Sequence, residues 1–213
     1  MKPLYVLACA FLALSLSSCS SETRKEAKRV GKLDAPAPAT YRVKFETSKG
    51  LFVVEVTRAW APRGADRFYT LINERFYDEA RFFRVVRNFV VQFGINGNPS
   101  VSRFWSNLRI LDDPVRESNR KGYLSFAMAG PASRTTQVFI NLRDNKPLDK
   151  MGFAPLGRVV EGMDVVESLY NSYGDAPPRG SGPDQGMIET KGNEYLESRF
   201  PRLDYIKTAR IMP

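Results

Sequence analysis

The chain has 213 residues, 43% of them hydrophobic and 26% charged, a length and composition that suit one globular domain with an appendage. It contains no histidine, which excludes Ser-His-Asp and Cys-His catalysis, HExxH zinc sites and any imidazole general base. The formal charge of +9 is spread along the chain and mixed with acids, so a solvated basic surface, or attraction to anionic lipid, accounts for it better than nucleic-acid binding does.

Residues 1–18 carry Lys2, an apolar run from Leu4 to Leu16 and then small residues, the pattern of an export signal. The run is too short and too poorly flanked for a durable transmembrane helix. Its end, Leu16-Ser17-Ser18-Cys19, resembles the bacterial lipobox, in which cleavage precedes a cysteine that takes a diacylglycerol. The plainer alternative is an ordinary secretory signal with Cys19 incidental. Ser20 stands where an inner-membrane retention signal shows Asp, which favours the outer membrane in a diderm. Cys9 and Cys19 are the only cysteines, so the folded part has no thiol nucleophile, disulfide or cysteine metal site. Residues 19–40 are polar, then charged (RKEAKR), then Ala/Pro-rich (DAPAPAT); they cannot bury a core and read as a tether of roughly 70 Å when extended.

The domain is expected over residues 41–213. YRVKFET and LFVVEVT alternate apolar and polar residues around Ser48-Lys49-Gly50, a strand–turn–strand pattern. Ala65, Phe68, Leu71 and Ile72 recur at helical spacing behind Pro62, a residue suited to a first turn. Two strands are expected within RFFRVVRNFVVQFGINGN (81–98), and a loop over 96–119. Residues 122–129, 136–141 and 152–160 read as strands, and 162–170 as a short helix. Residues 174–186 form a Gly/Pro-rich loop, followed by an amphipathic helix to Phe200 that Gly192 weakens. The last strand is expected over 205–211. Many short strands with two or three helices predict a mainly β fold, a closed antiparallel barrel capped by helices. Asp112, Asp113 and Asp144 read as solvated loop carboxylates, not a cation site. Trp60 and Trp105 read as packing residues.

Two stretches then become specific. Phe82-Phe83-Arg84 is followed by Val85-Val86 and by Arg87-Asn88-Phe89-Val90-Val91-Gln92-Phe93-Gly94. Leu124-Ser125-Phe126-Ala127-Met128-Ala129-Gly130-Pro131 is followed by Thr136-Gln137-Val138-Phe139-Ile140. Together they resemble the cyclophilin family of peptidyl-prolyl cis-trans isomerases, whose strands read F-H-R, an apolar pair and P-G-F-x-x-Q-G-G, then L-S-M-A-N-A-G-P and S-Q-F-F-I. GFAPLGRVVEGMDVVESLY is similar to a third family run. The resemblance covers residues 41–170 and the last strand. The chain departs from the family at Val90 (usually Met), at Met128 (usually Asn), at Pro147 (often Trp or Phe) and at Phe153, where a groove histidine is usual. Segments 96–120 and 174–200 exceed the minimal family core.

Rotation about a peptide bond has a barrier of about 18–20 kcal/mol that comes from amide resonance. Lowering it requires no nucleophile, base or metal, only a site that prefers the twisted amide. A chain without histidine suits that reaction. The resemblance assigns the twisted nitrogen or its neighbouring carbonyl to Arg84, the carbonyl side to Gln92 and the proline ring to Phe89, a catalytic set of three. It places Phe139, Ala127, Met128, Gln137, Leu148, Phe153 and Val90 around the substrate, with Phe153 an apolar wall in place of the histidine. From spacing alone, a surface strand arginine is the more ordinary account of Arg84, core packing is that of Phe89 and Phe139, and Gln137 either orients its neighbours or touches substrate. The resemblance implies no cofactor or metal. The expected partners are proline-containing unfolded or exported polypeptides and, through acyl (palmitate-type) chains on Cys19, a membrane of the cell envelope. The expected state is a monomer facing the periplasm in a diderm. The rival reading on the same fold is a catalytically weak proline-peptide-binding chaperone, motivated by Met128, Pro147 and Phe153.

Overall fold

Alternation builds the first strands of the protein, whose computed structural model describes residues 36–213. In β1 (Thr40–Thr47), Tyr41, Val43 and Phe45 turn inward while Arg42, Lys44 and Glu46 are more exposed. The strand folds back through Ser48–Gly50 into β2 (Leu51–Thr57), pairing Phe45 with Phe52, whose rings stack at 4.7 Å. The export signal, Cys19 and residues 19–35 of the expected tether lie outside the described residues.

Helix α1 (Pro62–Asn73) follows, with Pro62 in its first turn. Ala65, Phe68, Leu71 and Ile72 are all buried, as their spacing predicts. Burying a side chain such as Phe68 contributes roughly 2–3 kcal/mol. The site motif forms β3 (Arg84–Val86) and β4 (Val90–Phe93), joined by a turn in which Phe89 N–H donates to the Val86 carbonyl. Asn88 sits in this turn at φ 53°, a left-handed conformation that asparagine tolerates better than most residues. It stands where the related motif has glycine.

The stretch 96–119, expected to be loop, contains helix α2 (Pro99–Ser106). The Asn98-Pro99 pair that reads as a turn is its start: the Asn98 side chain accepts from Ser100 N–H and Pro99 occupies the first turn. β5 (Tyr123–Phe126) and β6 (Val138–Asn141) are shorter than expected, because the chain leaves the ladder at Ala127 to form the loop carrying Met128–Pro131. A single helical turn, α3 (Pro147–Lys150), precedes β7 (Pro155–Glu161). Residues 152–154, expected in that strand, are used in turning out of α3, with Gly152 at φ 87°. Then come α4 (Met163–Glu167), α5 (Gln185–Arg199) and β8 (Ile206–Ile211).

The eight strands form one antiparallel sheet in the order β3-β4-β6-β5-β7-β2-β1-β8. The chain just before β3 meets the chain just before β8 through an isolated bridge between Arg81 and Tyr205, so the sheet curls round without the β3–β8 ladder that the expected closed barrel would have. Its interior is aromatic: Phe93 meets Phe45, Tyr77 and Phe82 edge to face at 5.3–5.9 Å. Both tryptophans pack, Trp60 stacking on Tyr123 and Trp105 lying edge-on to Phe76. No helix among the described residues is long and apolar enough to cross a membrane.

Segments 96–120 and 174–200 dock on each other. Gly192 lies inside α5 at φ 60° and kinks it; a Cβ there would fall 2.0 Å from the Gly97 carbonyl oxygen. Asn193 N–H donates to that same carbonyl. Gly192 therefore marks a close backbone approach inside the helix. On its other side α5 contributes Ile188 and Leu196 to a small second core with Phe83, Ile95 and Leu203.

Candidate active site

The ladder registers bring the polar residues of the motif into one row. Arg84 lies opposite Gln92, Gln92 opposite Phe139, and Phe139 opposite Ser125, across β3, β4, β6 and β5. Directly opposed residues share a face. The alternate row, Val85, Val91, Ile140 and Leu124, is buried in the barrel, so the site is carried on its outer face.

Along this face runs a chain of hydrogen bonds. Arg84 Nη1 donates to Gln92 Oε1 at 3.0 Å, and Gln92 Nε2 donates to Gln137 Oε1 at 2.8 Å. Gln137 thus orients Gln92. It comes this close because residue 94 is glycine: at φ 106°, a Cβ on it would meet the Thr136 carbonyl oxygen at 2.5 Å. The guanidinium also lies over the Phe89 ring, 5.6 Å from its centroid.

The other wall is apolar. Phe139 meets Phe153 edge to face at 5.5 Å, and Leu148 presents a half-buried side chain from α3. Exposed Pro147 starts that helical turn. Phe139 is only 5% exposed, so it forms more of a floor than a rim. Val90 shares the face of Gln92 by the period of two but is buried. Ala127 donates its N–H to the Gln137 carbonyl, tying the two stretches together. Met128 borders two hollows of about 400 and 380 Å³, the first also lined by Phe153 and the second by Gln92, Ala127 and Gln137. Of the ten expected groove residues, Arg84, Phe89, Gln92 and Gln137 thus share one chain of contacts, Phe139 and Phe153 meet each other, and Ala127 and Met128 border the hollows, while Leu148 lines neither hollow and Val90 is buried.

Two residues that the sequence reading passed over hold this arrangement. Asn119 is fully buried behind the apolar wall. Its Nδ2 donates to Asp149 Oδ1 and to the Phe153 carbonyl, each at 2.8 Å, and its Oδ1 accepts from Ser125 Oγ. Desolvation works to raise the Asp149 pKa, yet the hydrogen bonds from Ser118 and Asn119 hold it below the usual value. The other residue is Asp175, whose carboxylate receives Arg84 Nε at 2.9 Å and Nη2 at 3.1 Å. These hydrogen bonds hold the Asp175 carboxyl below its ordinary pKa. Neither residue has a local signal: one is an asparagine in a polar loop, the other an aspartate in a Gly/Pro-rich one.

The loop carboxylates are not all solvated as expected. Asp113 is buried, accepts from the N–H groups of Arg63 and Gly64 at the start of α1, and pairs with Arg134 at 3.1 Å. Among the described residues no cluster of three or more potential metal ligands occurs.

A family model described as cyclophilin type peptidyl-prolyl cis-trans isomerase/CLD matches residues 42–185. A peptidyl-prolyl cis-trans isomerase of Acinetobacter baylyi is 31% identical over 152 residues, covering 65% of this chain and 77% of the relative. One from Arabidopsis thaliana is 33% identical over 147 residues, covering 68% and 89%. The crystal structure of a cyclophilin type isomerase from Cryptosporidium parvum superposes with a TM-score of 0.61 at 19% identity, covering 82% of this chain and 98% of that one. A second structure of that protein, solved in the presence of the dipeptide Ala-Pro, gives a TM-score of 0.59, covering 81% and 99%. At such identity the structural likeness shows the fold.

Proposed function

Since this chain belongs to the cyclophilin-type peptidyl-prolyl cis-trans isomerases, we propose that it turns X-Pro bonds through non-covalent stabilisation of the twisted amide by Arg84. The observation that carries this reading is the Arg84–Gln92–Gln137 chain of hydrogen bonds beside the Phe139–Phe153 floor.

The X-Pro cis form costs only about 0.5–1 kcal/mol, so the barrier, not the equilibrium, is what a catalyst changes. As the amide twists, resonance is lost and the prolyl nitrogen gains a lone pair. A guanidinium donates to that nitrogen or holds the adjacent carbonyl, and it stays charged at every relevant pH. Gln92 has two amide N–H groups and spends one on Gln137; the other serves the carbonyl side. Phe89, Phe139, Leu148 and Phe153 hold the proline ring while the other half turns. Ala127 and Met128 complete the groove around the peptide, with Val90 buried beneath it.

The substrates on this reading are proline-containing, incompletely folded exported chains. This is supported by the export pattern of residues 1–18 and by Cys19 after a lipobox-like end. Cys19 carries acyl chains that anchor the protein in the envelope, each buried methylene contributing roughly 0.8 kcal/mol. The stretch after Cys19 tethers the monomeric isomerase domain at a distance from the membrane, and it ends short of the expected residue 40, because Ala37 is buried and donates its N–H to Asp66 and Thr40 already belongs to β1.

The test is an exchange assay by NMR on an Ala-Pro-Phe-type peptide. Arg84→Ala should slow exchange by roughly 10²–10³, the scale of losing one transition-state donor. An unchanged rate would end the assignment, and peptide binding with no acceleration by wild type would favour the chaperone reading. Mass spectrometry of the mature N-terminus tests the anchor; an unmodified Cys19 refutes it.

A further inference from the structure

After α4 the chain leaves the barrel and crosses back over the outer face as residues 171–184. This segment brings a carboxylate to Arg84. Asp175 takes Nε and Nη2 in a two-pronged contact at 2.9 and 3.1 Å, while Gln92 takes Nη1. A guanidinium has five N–H groups; these contacts use three and leave one on each Nη. The carboxylate therefore grips the Nε edge and leaves donors on both terminal nitrogens.

The grip is held from both sides. The loop closes on itself, with Gly182 N–H donating to the Asp175 carbonyl at 2.8 Å and Ser181 N–H to the Tyr173 carbonyl at 3.0 Å. A Cβ on Gly180 would lie 2.2 Å from the Asp175 carbonyl oxygen, so this closure depends on glycine. Asp175 Oδ1 also accepts from Ala176 N–H. The loop is rooted through Tyr173, whose ring packs on Phe200 at 5.1 Å and against the second core. That core contains Phe83, the residue before Arg84. One cluster thus anchors both ends of the ion pair. The two side chains are 19% and 15% exposed, sheltered enough for a charge-assisted fork to hold its geometry.

We propose that Asp175 is a positioning residue for the isomerase reaction: it fixes the plane of the Arg84 guanidinium so that the remaining Nη N–H groups are held ready for the twisted amide. The proposal rests on the reading of Arg84 as the transition-state donor. Arginine side chains are otherwise long and mobile, and a donor already in place does not lose that freedom during the reaction. The second appended segment, α5 with its preceding loop, thereby has a catalytic purpose.

The experiment uses the full chain and four variants: Asp175→Asn, Asp175→Glu, Arg84→Ala and the Arg84→Ala/Asp175→Asn double. Peptide exchange by NMR reads the rate at saturation and the peptide affinity separately, and the Arg84 Nε–H resonance reports the contact directly. Asp175→Asn keeps the shape of the side chain, and a melting curve verifies its fold. The expected result is a saturated rate about tenfold lower in Asp175→Asn, with affinity within about twofold and partial recovery in Asp175→Glu. The double variant should be no slower than Arg84→Ala. The wild-type Nε–H signal should be downfield and slow to exchange with water, and this should disappear in Asp175→Asn. A rate that is unchanged, or that rises because the carboxylate restrains the arginine from acting, overturns the proposal. So does an equal slowing by Asp175→Asn in the Arg84→Ala background, which would mean that the loop acts without Arg84. If Arg84→Ala turns over like wild type, the reading of Arg84 fails and takes the proposal with it, whereas a slowed Arg84→Ala beside an unchanged Asp175→Asn overturns the proposal alone.

Discussion

Replacing Asn119 by alanine should loosen the apolar wall of the groove and weaken the whole domain. The side chain makes four hydrogen bonds: to Asp149 Oδ1, to the Phe153 carbonyl, from Ser125 Oγ and from Asn141 Nδ2. At a net value of about 1 kcal/mol each they sum to about 4 kcal/mol. Asp149 retains the Asn119 backbone N–H and Ser118 Oγ, and Asn141 Nδ2 retains the Tyr123 carbonyl, so part of the loss is recovered. Ser125 is fully buried and loses the acceptor for its hydroxyl, which adds a desolvation cost. The expected loss is about 3 kcal/mol, which for a domain of this size lowers Tm by about 6–12 °C. A thermal melt followed by circular dichroism measures it. The exchange assay should then show weaker peptide binding, because Phe153 loses its tie to the sheet. The rate at saturation should fall less, because the Arg84–Gln92–Gln137 chain does not pass through Asn119. A Tm within about 2 °C of wild type would refute this account of the wall.

Gly94→Ala should destabilise the protein by about 3 kcal/mol or more, since it combines a left-handed φ with a Cβ 2.5 Å from the Thr136 carbonyl oxygen. It should also part Gln137 from Gln92; urea denaturation and the exchange rate test the two effects, and wild-type values in both would dismiss the close approach as a constraint. The pH–rate profile should be flat from about pH 5 to pH 9, because the chain has no histidine. Asp175 and Asp149 have folded pKa values below their unfolded ones. Their stabilising contributions are therefore complete above the unfolded value near pH 4 and are lost as pH falls through the lower folded values. A sigmoidal step near pH 6.5 would contradict this.

Much of the fold is legible in short windows. Alternation in YRVKFET and the spacing of Ala65, Phe68, Leu71 and Ile72 report which face is buried, and burial of one face dictates strand or helix locally. Helix α2 was less legible because Asn98-Pro99 serves equally as a turn or as a helix start, and only the following turn of backbone distinguishes them. Gly192 was ambiguous for a similar reason: its meaning lies in Gly97, far away in the chain.

The sequence by itself determined the family and the absence of any chemistry that histidine supplies, and it set Arg84, Phe89 and Gln92 close together. These lie within nine residues on one hairpin, where register and the period of two place side chains by local geometry. Tertiary structure alone decided what restrains them. Gln137 reaches Gln92 from 45 residues away, and Asp175 reaches Arg84 from 91. Such contacts leave no periodic trace, because they depend on where the curled sheet and its later helix return the chain, and not on the spacing of neighbours along it.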